Sequence, residues 1–275
     1  MRQSAASGLA AAVLAFVFMG ARSEGSGIEI AAFGGPAVPT YKQTFTLLGG
    51  SPSFGLARLS SKTEPTLHAE GGLAVGASAT FFLTDTFGIE ARVDHLNIDL
   101  KSFGGMYALE TGPANAPTSS TPVSLGSGAT SLQGVRPLSL NLRYQSQRRI
   151  GLGFSVGVSY LPTLAVDGSP TVNIANINAS FPISLIAKPV NSTDQSHLGF
   201  NGGVGLQIKV AAGLSVGGEV RGFAFRQSDL KWQSTQTGAL GAVEQTLLQS
   251  LTSKLDTPVF TPGFWTARVG VALRF

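Results

Sequence analysis

Two short segments of the chain place an acid and a base two residues apart. Glu90-x-Arg92 and Glu219-x-Arg221 both lie where apolar residues occupy every second position. Because successive side chains of a strand point to opposite faces, each acid shares a face with its base. Such a face can hold buried ion pairs, or it can line a polar pathway. The elements that carry these segments determine which of the two roles the charges serve.

Residue types that could support catalysis are few and poorly spaced. The chain has three histidines, His68, His95 and His197, and no cysteine. A hydrolytic site needs a histidine, a nucleophile and an orienting acid within hydrogen-bond reach of one another. Asp94 and His95 are adjacent and would point to opposite faces of a strand, and no serine accompanies His68 on its face. We therefore predict no catalytic residue, no metal site and no cofactor.

The N-terminus has the pattern of an export signal. Arg2 supplies a positive charge, residues 9–19 form a short apolar run, and Ala21 and Ser23 provide the small residues of a cleavage site. This pattern predicts a cleaved signal peptide at residues 1–23. The remaining residues, 24–275, are expected to form one domain.

The charge of the mature chain is close to balanced. Of the 19 Lys and Arg residues, Arg2 and Arg22 leave with the leader, so 17 basic residues face 15 acidic ones. This balance argues against a nucleic-acid partner. Charged residues make up only 12% of the chain, and no second apolar run reaches the roughly 18 residues of a transmembrane helix. A chain that is poor in charge and rich in glycine favours a closed membrane barrel.

Apolar residues alternate with small or charged ones over eight segments. The clearest is the C-terminal segment, where Trp265, Ala267, Val269, Val271, Leu273 and Phe275 share one face. Its length matches the apolar band of about 25 Å that a tilted membrane strand crosses. The other segments lie near residues 28–33, 73–83, 87–94, 138–144, 152–160, 198–209 and 214–224. This period predicts eight strands, each with one apolar face.

The connections between these segments alternate in length. Three are tight, at residues 84–86, 147–149 and 211–213, and four are long, at about 36–66, 101–135, 163–196 and 228–260. The pattern is typical of an all-β, closed, antiparallel, up-and-down transmembrane β-barrel with short periplasmic turns and four long extracellular loops. An alternative with ten strands arises if the hairpin at residues 171–186 also spans the membrane.

The leader, the alternating strands, the unequal connections and the closing segment Val269 to Phe275 resemble the small bacterial outer-membrane barrels of the outer-membrane protein A, X and W class. The resemblance covers the whole mature chain in architecture. It implies location in the outer membrane, contact with outer-membrane lipid, and insertion by the barrel-assembly machinery. In that reading the assembly signal consists of Trp265, Val269, Val271, Leu273 and Phe275. We also expect a monomer, and the sequence names no extracellular ligand.

An eight-stranded barrel has a lumen just wide enough for its own side chains. The alternation predicts a lumen network of ion pairs made by Glu29, Glu70, Glu90, Arg92, Asp94, Arg143, Lys209, Glu219, Arg221 and Arg268. These charges can form a paired plug or line a gated polar pathway. The inward positions of the fifth and sixth strands are mostly Gly, Ser and Asn, which leaves room for a polar cavity beside the charges.

The expected function follows from the expected location in the outer membrane. We expect an integral outer-membrane barrel with a structural, envelope or surface-interaction role and without catalysis. The alternative is a narrow, porin-like channel for small solutes. Packing of the lumen side chains distinguishes the two, because a plug fills the space that a channel needs.

Overall fold

The computed structural model describes residues 27–40, 42–44, 53–54, 57–63, 66–101, 105–111, 119–126, 130–133, 135–168, 171–174, 177–180, 183–232 and 259–275. The predicted signal peptide at residues 1–23 lies outside this part of the chain. Within it, no helix is long and apolar enough to cross a membrane. The strands, in chain order, are β1 (Gly27–Pro39), β2 (Lys42–Thr44), β3 (Ser53–Phe54), β4 (Ala57–Thr63), β5 (Thr66–Ala69), β6 (Gly72–Phe82), β7 (Phe87–Lys101), β8 (Gly105–Thr111), β9 (Ser119–Gly126), β10 (Thr130–Gln133), β11 (Leu138–Gln145), β12 (Ile150–Leu161), β13 (Ala165–Gly168), β14 (Thr171–Ile174), β15 (Ile177–Ser180), β16 (Ile183–Pro189), β17 (His197–Ala211), β18 (Leu214–Phe225), β19 (Ser228–Trp232), β20 (Val259–Phe260) and β21 (Gly263–Arg274).

Eight of these strands close into a barrel. They pair in the order β11-β12-β17-β18-β21-β1-β6-β7, and β7 pairs with β11 to complete the ring. Every pairing in the ring is antiparallel. The predicted eight-stranded, closed, up-and-down β-barrel is therefore confirmed. Its first and last strands meet where Phe275 N donates a 2.8 Å hydrogen bond to Ile28 O.

The three tight connections lie at one end of the barrel, which we call the turn end. They join β6 to β7, β11 to β12, and β17 to β18. In the last of them Gly213 has φ +75°, a conformation that glycine adopts without steric cost. The opposite end, where the long connections leave the barrel, is called the loop end.

The long connections contain more strand than the sequence predicts. Short strands β10, β13, β16, β19 and β20 pair in that order, and each adjoins in sequence one of the barrel strands β11, β12, β17, β18 and β21. The barrel wall thus continues at the loop end in the same circular order. The alternation of apolar and polar residues does not reveal these strands, because they have no lipid-facing apolar stripe to maintain.

The alternative with ten membrane strands is wrong. The hairpin at residues 171–186 contains β14 and β15, which belong to a separate six-stranded sheet of order β15-β14-β9-β8-β4-β3. Each of these two strands has four residues, whereas crossing a membrane takes about 9–11. These two strands therefore belong to the sheet at the loop end and are not part of the barrel ring.

Side chains separate cleanly between the two faces of the barrel. Outward positions are apolar and exposed on every strand, as at Leu142, Val156, Phe200 and Val269. At mid-height the inward positions are mainly charged, polar or glycine, and most of the charged side chains are buried. This inside-out pattern follows from the two-residue period of a strand in a closed ring.

Candidate functional site: the charge network of the lumen

A square of four alternating charges spans the lumen. Glu90 and Arg92 lie on β7, while Glu219 and Arg221 lie on β18, four strands away in either direction around the ring. Arg92 Nη1 donates to Glu219 Oε2 at 2.7 Å, and Arg221 Nη2 donates to Glu90 Oε2 at 3.1 Å. Within each strand, Arg221 Nε donates to Glu219 Oε1 at 2.6 Å, and Arg92 Nη1 lies 3.9 Å from Glu90 Oε1. The two acid-x-base segments therefore bind one another across the barrel.

Asp94 and Arg268 extend the square toward the loop end. Arg92 Nε donates to Asp94 Oδ2 at 3.1 Å, and Arg268 Nη1 donates to Asp94 Oδ1. The guanidinium carbons of Arg92 and Arg268 lie 3.7 and 4.8 Å from the centre of the Phe33 ring. The ring face attracts both cations, and it stabilises two like charges that would otherwise repel each other.

Arg143 extends the network toward the turn end. Its Nη2 lies 2.8 Å from Glu29 Oε1, and its Nη1 lies 3.4 Å from Glu90 Oε1. The same guanidinium donates to Thr80 Oγ1 at 3.1 Å and to Gln145 Oε1 at 2.7 Å. The fork of an arginine allows this, because its five N–H donors can serve several acceptors at once.

Neutral polar side chains on β11, β12 and β17 add hydrogen bonds to the network. Asn141 Nδ2 donates to Glu90 Oε2 at 2.8 Å, and Asn201 Nδ2 donates to Asn141 Oδ1 at 2.8 Å and to Ser159 Oγ at 2.9 Å. Arg221 donates to Ser155 Oγ at 2.5 Å. These contacts lower the cost of burying the charges. Among the described residues, Arg92 Nη2 and Arg268 Nε and Nη2 are buried without a hydrogen-bond partner.

The charges in this network balance. Four acids, Glu29, Glu90, Asp94 and Glu219, meet four arginines, Arg92, Arg143, Arg221 and Arg268. Six of the eight side chains are at most 3% exposed. Removing one member of such a group leaves its partner unpaired in a medium of low dielectric, at a cost of about 3–5 kcal/mol.

One residue expected in the network lies outside it. Lys209 is exposed at the turn end, where its Nζ donates to Gln147 O at 2.8 Å and Gln147 Oε1 at 2.9 Å. It faces inward by alternation, but it is close enough to the end of β17 for its long side chain to reach water. This expectation was wrong because alternation fixes the face of a residue and not its depth. Glu70 precedes β6 at the loop end and is partly buried, and its place in the network stays a prediction.

A layer of buried apolar side chains lies on the loop side of the charges. The next inward residues of β7 after Asp94 are Leu96 and Ile98, and those of β18 after Arg221 are Phe223 and Phe225. All four are at most 4% exposed. Phe264, Leu161, Leu164 and Val135 are buried in the same way. On β7 the sequence signal for this layer is a switch of the apolar positions from the outward face to the inward face, which the search for alternation passed over.

A cavity remains beside the glycine-rich wall. It measures about 100 Å³ and is bordered by Ser155, Gly203, Gln207, Gly217 and Glu219, among others. That volume holds a few water molecules. The room predicted beside the fifth and sixth strands therefore exists, as a small space next to a filled network.

Comparison with known proteins identifies the family. Residues 10–241 match the family described as outer membrane protein beta-barrel domain. The chain belongs to this family. It is therefore a bacterial outer-membrane protein, and its exposed apolar stripes face lipid. No curated protein is similar enough to the chain to count as a match.

Several solved structures of outer-membrane proteins are similar to the chain. OprG from Pseudomonas aeruginosa is 12% identical with a TM-score of 0.43, and the match covers 91% of this chain and 96% of OprG. Neisserial surface protein A is 11% identical with a TM-score of 0.39, covering 91% and 99%. The outer membrane protease OmpT from Escherichia coli is 9% identical with a TM-score of 0.35, covering 91% and 96%.

The residues predicted as the assembly signal lie on the last strand. Trp265, Val269, Val271 and Leu273 are exposed on the lipid side of β21, and Phe275 follows at the turn end. Trp265 lies against Gly222 of β18, whose missing side chain leaves room for the indole. Their role in assembly stays a prediction.

The two histidine side chains that the structure describes lie on different strands. His95 is exposed on the outward face of β7, and His197 is buried at the loop end of β17. The side chain of His68 is outside the described part of the structure. Among the described residues, no group of three His, Cys, Asp or Glu side chains could hold a metal ion.

Proposed function

We propose that the protein is a non-conducting outer-membrane barrel that anchors and displays the β-sheets at its loop end. The proposal rests on two ion pairs that cross the lumen, Arg92 with Glu219 and Glu90 with Arg221. A permeation path would have to pass between groups that bind one another at hydrogen-bond distance. Opening that path would leave several buried charges unpaired.

The apolar layer above the charges supports the same function. Leu96, Ile98, Phe223 and Phe225 are buried between the network and the loop end. Ions do not cross a packed apolar layer without losing their hydration, which is costly. The sheets beyond this layer are then the part of the protein that meets the surroundings of the cell. We propose a surface-interaction or envelope role for them, without catalysis.

Electrical recording tests the proposal. The folded protein, reconstituted into planar bilayers in concentrated KCl, is expected to show no current steps above the noise. A triple variant, Arg92→Ser, Glu219→Ser and Phe223→Ser, removes a cross-lumen pair and part of the apolar layer. It should conduct if it folds, and it serves as the positive control. Steady openings of the unmodified protein would contradict the proposal.

A narrow channel for small solutes is the second candidate. The cavity beside Ser155 and Gly203 favours it, because it shows that the lumen is not filled everywhere. Under this reading, solute passes along the glycine-rich wall when the network shifts. Uptake of small solutes into vesicles, blocked by Gly203→Leu, would support the channel over the anchor.

We further propose that residues 1–23 are removed on export, and that the barrel-assembly machinery inserts the chain as a monomer. The pattern of the leader and the exposed apolar face of β21 support these steps. N-terminal sequencing of the protein from outer membranes should find Glu24 first. Cross-linking during assembly should join β21 to the machinery.

A further inference from the structure

A small polar cluster on the outside of the barrel is not used by the lumen network. It consists of His95 and Asn97, on the outward face of β7, and Arg136, which lies just before β11. All three side chains are exposed. We propose that this cluster binds the phosphate group of a lipid in the outer leaflet of the membrane. The proposal rests on the membrane location and not on the anchor function.

The strand pairing brings the three residues together. Leu138 pairs with Val93, and beyond this pair Asp94 N donates to Pro137 O at 3.1 Å while Leu96 N donates to Val135 O at 2.9 Å. Arg136 is thereby held opposite His95. Directly opposed residues on one face of antiparallel strands have Cβ atoms about 4.5–5.5 Å apart. Asn97 lies two residues farther along β7 on the same face.

The height of the cluster matches a lipid headgroup. Below it on β7, the outward residues Phe87, Ile89, Ala91 and Val93 are all apolar. At a strand rise of about 3.4 Å and a tilt near 45°, His95 lies about 19 Å and Asn97 about 24 Å above Phe87. The apolar band of such barrels is about 25 Å tall. The cluster therefore lies where the acyl chains end and the phosphates begin.

The charge of Arg136 is available to a ligand. Arg136 makes no hydrogen bond or ion pair with the side chains that the structure describes, in contrast to the four arginines of the lumen. A guanidinium binds phosphate through two parallel hydrogen bonds, and His95 and Asn97 can add further donors.

The surface beneath the cluster fits the rest of a lipid. Val93 and Leu138 are exposed, apolar and two residues nearer the turn end than His95 and Arg136, and the exposed Val75 pairs with His95. Tyr160 pairs with Leu138 and is exposed at the same level. Acyl chains can lie along this face while the phosphate contacts Arg136. A soluble anion would use the charge but gain nothing from the apolar face.

Native mass spectrometry of the folded full chain in non-ionic detergent tests the site, with diphosphoryl lipid A as the probe. Wild type should bind this lipid about five- to tenfold more tightly than its dephosphorylated form. Arg136→Gln should remove that preference, and Arg136→Lys should keep part of it. The matched control is Arg148→Gln, which changes an exposed arginine of the turn end and should bind like wild type.

Three results would overturn the proposal. Equal binding by the Arg136→Gln and Arg148→Gln variants would show that general surface charge is responsible. Equal binding of phosphorylated and dephosphorylated lipid A by wild type would exclude the phosphate as the recognised group. Inorganic phosphate in millimolar excess should compete weakly. If it displaced the lipid completely, the site would be one for free phosphate and not for a lipid. Folding of each variant is checked by its heat-modifiable mobility.

Discussion

Arg92 on β7 donates a 2.7 Å hydrogen bond to Glu219 on β18, on the opposite side of the barrel ring. The two residues are 127 positions apart in the chain. This contact crosses the lumen at mid-height and joins strands that share no backbone hydrogen bonds. The energetics of this cross-lumen pairing can be tested directly.

The first prediction concerns the coupling between these two residues. Arg92→Met or Glu219→Gln alone should lower the free energy of unfolding by about 3–5 kcal/mol, because each leaves a buried charge without its partner. The double variant should cost less than the sum of the two, which gives a coupling energy of at least 1 kcal/mol. Unfolding by urea in lipid vesicles measures all four proteins. Additive losses would contradict a paired plug.

A pair with a more accessible arginine provides the control for this cycle. Arg58 Nη2 lies 2.7 Å from Glu110 Oε2 in the sheet at the loop end, and the two side chains are 29% and 11% exposed, against 1% for Arg92. Water reaches the guanidinium of Arg58, so the corresponding cycle should give a smaller coupling energy, about 1 kcal/mol or less. The comparison separates the effect of burial from that of ion pairing as such.

The second prediction uses two glycines that border the same cavity. A Cβ at Gly203 would lie 2.5 Å from Glu219 Oε1 and 3.2 Å from Arg221 Nε, so it would push on the network. A Cβ at Gly153 would meet no atom closer than 3.5 Å. Gly203→Ala should therefore destabilise the barrel by about 1–3 kcal/mol, and Gly153→Ala by less than about 0.5 kcal/mol. Thermal unfolding in detergent micelles measures both, and equal effects would contradict the model of a tight network beside a loose cavity.

Much of the barrel could be predicted from the sequence, because the two-residue period has a direct physical cause. One face of each strand contacts lipid and the other faces a narrow polar lumen, so apolar and polar residues must alternate along the strand. The strand that ends in Val271, Leu273 and Phe275 shows this most clearly. The pairs Glu90 with Arg92 and Glu219 with Arg221 were also predicted to share a face.

The partners of those charges could not be predicted. Alternation shows which residues face the lumen, but contacts across it depend on the order of strands around the ring and on their stagger. Arg92 therefore binds Glu219 on the far wall as well as its neighbours on β7. Phe33 was missed as the ring between two arginines, because an aromatic residue among inward charges has no distinctive spacing.

The third prediction concerns acid sensitivity of the sheet at the loop end. Ser60 Oγ donates to Glu110 Oε1 at 3.0 Å, and Arg58 Nε donates to Glu110 Oε2 at 2.7 Å. These contacts hold the pKa of Glu110 below its ordinary value, and the hydrogen bond from Ser60 has the largest effect. A lowered pKa contributes stability that is present above the ordinary pKa of about 4.5 and is lost as the pH falls through the folded value.

Limited proteolysis with pepsin measures this effect, since pepsin is active at acid pH. Cleavage within β4 and β8 should become faster as the pH falls below about 4.5, while the barrel strands stay protected. Glu110→Gln removes the titrating group, so its cleavage should not change with pH beyond the change in pepsin activity itself. A wild-type profile that matches that of the variant would exclude Glu110 as the cause.

The fourth prediction concerns insertion. Val271 and Leu273 are exposed on the lipid face of β21, which pairs with β1 and β18. A charge on the lipid face of a barrel strand is destabilising, so two charges, in Val271→Asp with Leu273→Asp, should leave the protein unfolded in the periplasm. Val271→Ala with Leu273→Ala keeps the face apolar and should still insert. Heat-modifiable mobility in outer-membrane fractions measures the outcome. A folded aspartate variant in that fraction would show that the apolar face of β21 is not needed for assembly.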